Sequence, residues 1–287
     1  MTPETTNDVS LAVKVIKTFN YASVCNFAIR GGGHTPWAGS ANIDRGVTID
    51  MRRIKSISVN REKTEAKVGA GAIWEDVHRE MDRQGLSIIG GRASSVGVGG
   101  LTIGGMSNFN SETFTTLTRV IGGISYFSPR KGFACDNVVN YEIVLADGRI
   151  VNANARTNSD LWLALKGGSN NFGIVTRFDL KAFKQGNFWG GTILYGDDAS
   201  PALLKAFADL NRPQGYDEYA SVIHSHSFVP GMGFVTSENI AYTKPEAFPA
   251  TFKPFTDAQP QFTSSMRISN QTDFTVEFIE NQKNGRR

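Results

Sequence analysis

The glycines of this chain are bunched, and that bunching constrains the fold more than any other feature of the sequence. The 30 glycines cluster at 31–33, 97–105, 122–123 and 167–173. Glycine lacks a Cβ, so a cluster marks unusual dihedrals or a place where a backbone must be approached closely. The first cluster is the sharpest. In "IRGGGHTPWAG" (29–39), Gly31, Gly32 and Gly33 lead straight into His34, one of only four histidines.

The segments around the clusters alternate between helical and extended patterns. Residues 5–22 predict a capped amphipathic helix with Val9, Ala12, Val15 and Ile16 near helical spacing. "NFAIR" (26–30) reads as a strand that runs into the first glycine loop, and residues 46–72 as strands turning at "NREK". Residues 73–85 predict a helix ending at Gly85, followed by a short strand, "LSIIGG", and a second loop, "RASSVGVGG". "YEIVLADGRIVNA" (141–153) is a hairpin announced by Asp147-Gly148. "NSDLWLALKGG" predicts a helix and "NFGIVTRFDLKAF" another strand. From about residue 185 Phe, Pro and Thr increase and glycine clusters thin out, which places a domain boundary near 184. The chain therefore reads as α+β, with its glycine loops between strands.

Composition narrows the function. A hydrophobic content of 40% and a charged content of 20% describe a globular protein. The net charge of +3 comes from scattered residues, so no nucleic-acid partner is expected. No apolar stretch reaches membrane-spanning length and "MTPETTNDVS" lacks signal-peptide character, so as written the chain is expected to stay cytoplasmic, away from membranes. Cys25 and Cys135 read as buried free thiols.

Neither glycine loop is a standard nucleotide motif. After "RGGGH" comes no convincing helix, as a dinucleotide fold requires, and no GK[ST] is present for a P-loop. Two readings remain: backbone N–H groups of the two loops cradle a phosphorylated ligand, or the loops are tight turns without one. A histidine on such a loop can serve as base, metal ligand or nucleophile. No cysteine or acidic cluster lies near His34, so no metal is expected there. His224 and His226 in "HSH" share a strand face without implying a metal, and His78 reads as a partly buried helix residue. No G-x-S-x-G or Cys–His arrangement suggests a hydrolase.

Six stretches together resemble one family: "FAIRGGGHTPWAGSANIDRGVTIDM", "VGAGAIWEDVH", "GGRASSVGVGGLTIGG", "GGISYFSPRKGFACDNVVNYEIVLADGRIVNAN", "DLWLALKGGSNNFGIVTRFDL" and "MRISNQTDFT". In this order they resemble the FAD-linked oxidoreductases with the vanillyl-alcohol-oxidase-type (PCMH-type) flavin domain, on the fungal berberine-bridge-enzyme-like branch. The resemblance implies a two-subdomain FAD-binding domain (1–183) followed by an antiparallel-sheet substrate domain (184–287). It implies a covalent bond from His34 to the flavin, with Gly31 to Gly33, Gly39 and Ser40 against the pyrophosphate and Arg30 and Thr35 beside them. Ser94, Ser95, Val96, Gly97, Gly99 and Gly100 of the second loop, with Asn171, Gly173, Ile174 and Val175, would line the rest of the cofactor. Some relatives carry a second link through a cysteine at the position of Ala93, so a single link is expected. The implied chemistry is removal of hydride from a small-molecule substrate, with molecular oxygen taking the electrons to give hydrogen peroxide.

The chain departs from the family pattern in three places. Residues 106–122 interrupt "LTIGG…GISYFSPR" and read as an insertion, with a translated retained intron favoured over a genuine loop. The chain begins after the point where relatives, often secreted, carry a signal and a first helix, and it ends inside the substrate domain. It therefore reads as truncated at both ends, with no assignable catalytic base, and oligomeric state is open. Three functions are carried forward: an FAD-dependent oxidase of secondary metabolism, a catalytically incomplete flavin-binding fragment, and a nucleotide-binding module without redox chemistry.

Overall fold

The computed structural model describes residues 1–20, 25–35, 37–104 and 122–280; the expected insertion at 106–122 lies outside them except for Gly122. Helix α1 (Thr6–Asn20) buries Val9, Ala12, Val13 and Ile16, while Val15 is 46% exposed. Position 15 stands about 240° round the helix from position 9, whereas position 13 returns to within about 40° of it. The buried stripe is thus the 9-12-13-16 set.

Strand β1 (Phe27–Arg30) pairs in parallel with β2 (Val47–Asp50), from Phe27↔Val47 to Arg30↔Asp50. Strands β3 (Ile57–Val59) and β4 (Glu65–Gly69) form the expected antiparallel pair, turning through Asn60 and a left-handed Lys63. Helix α2 (Trp74–Arg83) ends before Gly85, whose φ of +66° explains the glycine. Strand β5 (Leu86–Ile88) follows, then α3 (Val98–Ile103), a helix that begins inside the stretch expected to be loop. Gly99 and Gly100 argue locally against a helix. Packing overrides them: Val98 N–H donates to Ala72 O at 2.9 Å, and a Cβ on Gly99 would lie 3.0 Å from Ala70 O.

Beyond Gly122 come α4 (Ser128–Lys131), β6 (Val138–Val144), β7 (Ile150–Asn154), α5 (Ser159–Ala164) and β8 (Ile174–Lys184). The β6–β7 hairpin turns at Asp147-Gly148, with Gly148 at φ +80°. One sheet runs β3-β4-β8-β6-β7, with β5 added on β8. Its core includes Val68, Trp74, Met81, Tyr141, Phe178 and Leu180.

The chain leaves β8 at Lys184 and enters a second, wholly antiparallel sheet at β9 (Phe188–Gly196). Helix α6 (Ser200–Leu210), β10 (Ala220–Val229), β11 (Gly233–Tyr242), α7 (Lys253–Thr256), β12 (Gln261–Ser264), β13 (Arg267–Ser269) and α8 (Gln271–Glu280) complete it. Its order is β10-β11-β9-β12, with β13 also on β9. Alternation along β9 sends Trp189, Ile193 and Tyr195 into a core with Leu203, Phe252 and Phe255. Phe188 faces the other way and joins Tyr126, Phe127 and Phe274 in a third core. The architecture is the expected α+β.

Helix α8 ties the second sheet to α2 and β5. Ser87 Oγ donates to Gln271 Oε1 at 2.6 Å, Thr272 N–H donates to Asp82 Oδ2 at 2.9 Å, and Ser94 N–H donates to Thr275 O at 3.1 Å. Cys25 and Cys135 are free thiols; Cys135 is buried and Cys25 partly so.

His78 is fully buried, deeper than its sequence context suggests. It stacks on Trp74, its Nε2 lies 2.9 Å from Gly91 O, and burial pulls its pKa from 6.5 to about 4. A histidine neutral in the fold but protonated in the unfolded chain stabilises above pH 6.5, and that stability is lost as pH falls from 6.5 toward 4. The expected contribution is about 3 kcal/mol at neutral pH. Thermal melts at pH 7 and pH 4.5 should therefore show a smaller acid-induced drop for His78→Gln than for the wild type; equal drops would contradict this.

Candidate cofactor site

The parallel β1–β2 pair aims the first glycine loop. Arg30 closes β1, with its Nη1 3.5 Å from Asp50 Oδ2, and Asp50 also binds Arg52 at 2.6 Å. The Arg52 hydrogen bond holds the Asp50 carboxyl below its ordinary range. Gly33 then takes φ +64°, which turns the backbone toward His34.

Backbone contact joins the two glycine loops. A Cβ on Gly32 would lie 2.4 Å from Gly97 N, and one on Gly97 would lie 2.3 Å from Gly32 N. No side chain fits on either residue, so the requirement falls on this pair. The second loop is held by Trp74 N–H donating to Val96 O at 3.0 Å and by a bridge between Ile73 and Gly97. Gly90 and Gly91 serve another purpose: their Cβ positions would collide with the Trp74 indole at 2.2 and 2.6 Å.

These contacts wall a cavity of about 920 Å³, the size of a site for a large cofactor. Gly31, Gly32, Gly33, His34, Thr35 and Ser40 line it from the first loop. Val96, Gly97, Gly99 and Gly100 line it from the second, and Gly173, Ile174 and Val175 from the start of β8. The structure thus brings most of the expected residues into one space. Arg30, Gly39, Ser94, Ser95 and Asn171 do not line it. Arg30 is engaged with Asp50, Ser94 is buried between Glu75 and Thr275, and Asn171 Nδ2 donates to Gly168 O at 2.8 Å.

Further lining residues escaped the sequence reading. Ser169 and Asn170 lie two and one positions before Asn171, and Arg92 and Leu101 flank the second loop. Met51 and Ala70 come from strand ends, while Phe278 arrives on α8 from far along the chain with no local signal.

The residues fit an FAD. Facing glycines expose backbone donors that suit a pyrophosphate. A Cβ on Gly100 would meet nothing within 4 Å, so free space begins at its backbone. Met51, Leu101, Ile174 and Phe278 supply apolar wall for a flat ring.

The "HSH" histidines lie elsewhere. His224 and His226 share a face of β10 with their rings 4.7 Å apart, against α6 through Phe207. Burial pushes the Glu238 carboxyl up to about 8 and the His224 imidazole down, and Glu238 Oε1 lies 2.6 Å from His224 Nδ1. Among the described residues no three His, Cys, Asp or Glu side chains converge as a metal site.

The comparisons agree with this geometry. Residues 1–122 match the family described as FAD binding domain. The chain is 37% identical to the FAD-dependent monooxygenase CTB5 of Cercospora nicotianae, across 97% of this chain and 60% of that protein. It superposes on 6-hydroxy-D-nicotine oxidase from Arthrobacter nicotinovorans with TM-score 0.79 at 19% identity, across 98% of this chain and 57% of the other. On the berberine-bridge-enzyme-like protein 1 of Physcomitrella patens the TM-score is 0.74 at 25% identity, across 94% and 54%. The chain spans little more than half the length of these relatives.

Substitution at the loop contact should separate fold from ligand. Gly32→Ala drives a methyl into Gly97 and should cost about 1–3 kcal/mol of stability along with the flavin content of the purified protein. Gly100→Ala should leave the melting temperature unchanged or raised, because it replaces a helical glycine, while lowering flavin content. Normal flavin content in both variants would contradict the site. With the loop contact, the cavity and these similarities in hand, this chain belongs to the FAD-linked oxidoreductases with the vanillyl-alcohol-oxidase-type flavin domain, on the berberine-bridge-enzyme-like branch.

Proposed function

We propose that the complete protein is an FAD-dependent oxidase of secondary metabolism that takes hydride from a small organic substrate and passes the electrons to oxygen, giving hydrogen peroxide. The observation that carries this reading is the position of His34 on the same cavity as the two apposed glycine loops. Bound FAD supplies the hydride and oxygen chemistry; the chain supplies position. The backbones of Gly31 to Gly33 and of Gly97 hold the pyrophosphate, and His34 forms the covalent link to the flavin. Ala93, also on the cavity, offers no thiol, so there is one link only.

A monooxygenase is the second reading, favoured by the name of the relative from Cercospora nicotianae. Peroxide formed in step with oxygen consumption supports the oxidase; label from ¹⁸O₂ in the product supports the monooxygenase. The covalent link has its own test. Acid-precipitated wild-type protein should stay yellow, and His34→Ala should release its flavin into the supernatant. Release from both proteins would remove the link from the account.

A further inference from the structure

Trp37 differs from the other three tryptophans of the chain. Trp74 stacks on His78, and Trp189 packs against Phe248 and Phe252. Trp162 has the Lys166 ammonium 3.8 Å from its ring centre, and its Nε1–H donates to Val138 O at 3.0 Å. Trp37 has no ring or cation against it among the described residues. It is 77% exposed and stands on the wall of the cofactor cavity with Thr35, Ser40 and Ala41. A large apolar ring left in water forgoes the burial that stabilises the other three. On a cavity wall it offers a flat surface to a flat ligand.

The backbone beneath the indole is fixed. Ser40 N–H donates to Trp37 O at 3.3 Å, and Ser40 Oγ donates to the same oxygen at 2.9 Å. Between them Gly39 takes φ +84°. A glycine with positive φ at the third place of a hydrogen-bonded turn matches type II. Gly39 thus serves the turn, and Ser40 gives its hydroxyl proton to the turn as well. Arg30 Nε donates to Ala41 O at 3.4 Å, which ties the far end of the turn back to β1. Trp37 follows His34 by three residues, so their Cα atoms lie within about 11 Å of each other, on the side of His34 away from Gly31 to Gly33. On the function proposed above, those glycines hold the pyrophosphate and His34 holds the flavin ring. We propose that the Trp37 indole packs on the flavin ring of bound FAD and closes that end of the cavity to water. This rests on the reading of the cavity as the FAD site with His34 at the ring.

The test uses the complete protein carrying His34→Ala, so that FAD binds reversibly. It is titrated with FAD and with ADP, which has the pyrophosphate and adenosine but no flavin. Adding Trp37→Ala should weaken FAD about 10-fold and leave ADP unchanged, while Trp37→Phe should keep most of the FAD affinity. The fluorescence of the bound flavin is the second readout, because an indole in contact with a flavin quenches it by electron transfer. Bound FAD should therefore be dim in the parent protein and brighter in Trp37→Phe. Melting temperatures should match the parent in both variants, since the indole packs on nothing in the fold; if Trp37→Ala does not fold, Trp37→Phe decides through its flavin fluorescence. Equal FAD affinity with and without the indole would overturn the proposal, as would equal flavin fluorescence in the parent and Trp37→Phe. Equal weakening of FAD and ADP would assign Trp37 to the loop or the adenosine end and overturn it too. Failure of the parent protein to bind either FAD or ADP would instead remove the cofactor site itself, and the proposal with it.

Discussion

Everything in the site depends on one contact: the backbone of Gly32 against the backbone of Gly97, with room for no side chain between them. This contact brings two loops far apart in sequence to one wall, and the cavity is what lies beyond it. Each loop is anchored from behind by regular structure. Strands β1 and β2 aim the first, while α2, Ala72 and the Ile73–Gly97 bridge hold the second. The flexible residues are therefore not flexible in place. Their lack of side chains is used for approach, and their neighbours supply the rigidity.

The second sheet contributes less through its own core than through α8. That helix hydrogen-bonds to Asp82, Ser87 and Ser94 and places Phe274 in the shared aromatic core with Phe127 and Phe188. The same helix brings Phe278 to the cavity and Glu277 to the polar group around Tyr126. One short element thus ties the two sheets together and shapes part of the cavity wall.

Much of the fold was legible because periodicity and turn chemistry are local. The Asp147-Gly148 hairpin, the stop at Gly85 and the strand entering "RGGGH" all appear where the sequence places them. What escaped was set by distant contacts. Helix α3 forms across two glycines because Ala70 and Ala72 receive it, and Val15 turns outward because Val13 completes the stripe. In the site, the glycines and His34 could be read as a group because they are contiguous. Phe278 could not, because it carries no local mark and reaches the cavity only through the placement of α8. Gly90 and Gly91 read only as the end of the strand "LSIIGG", and their small size makes room for Trp74.

The central claim is that the cavity behind the Gly32–Gly97 contact is the flavin site, and a crystal structure of the complete protein with FAD tests it most directly. The account predicts pyrophosphate density against the backbones of Gly31 to Gly33 and Gly97, with the isoalloxazine beside His34. Cofactor density elsewhere, with this cavity filled only by solvent, would contradict it.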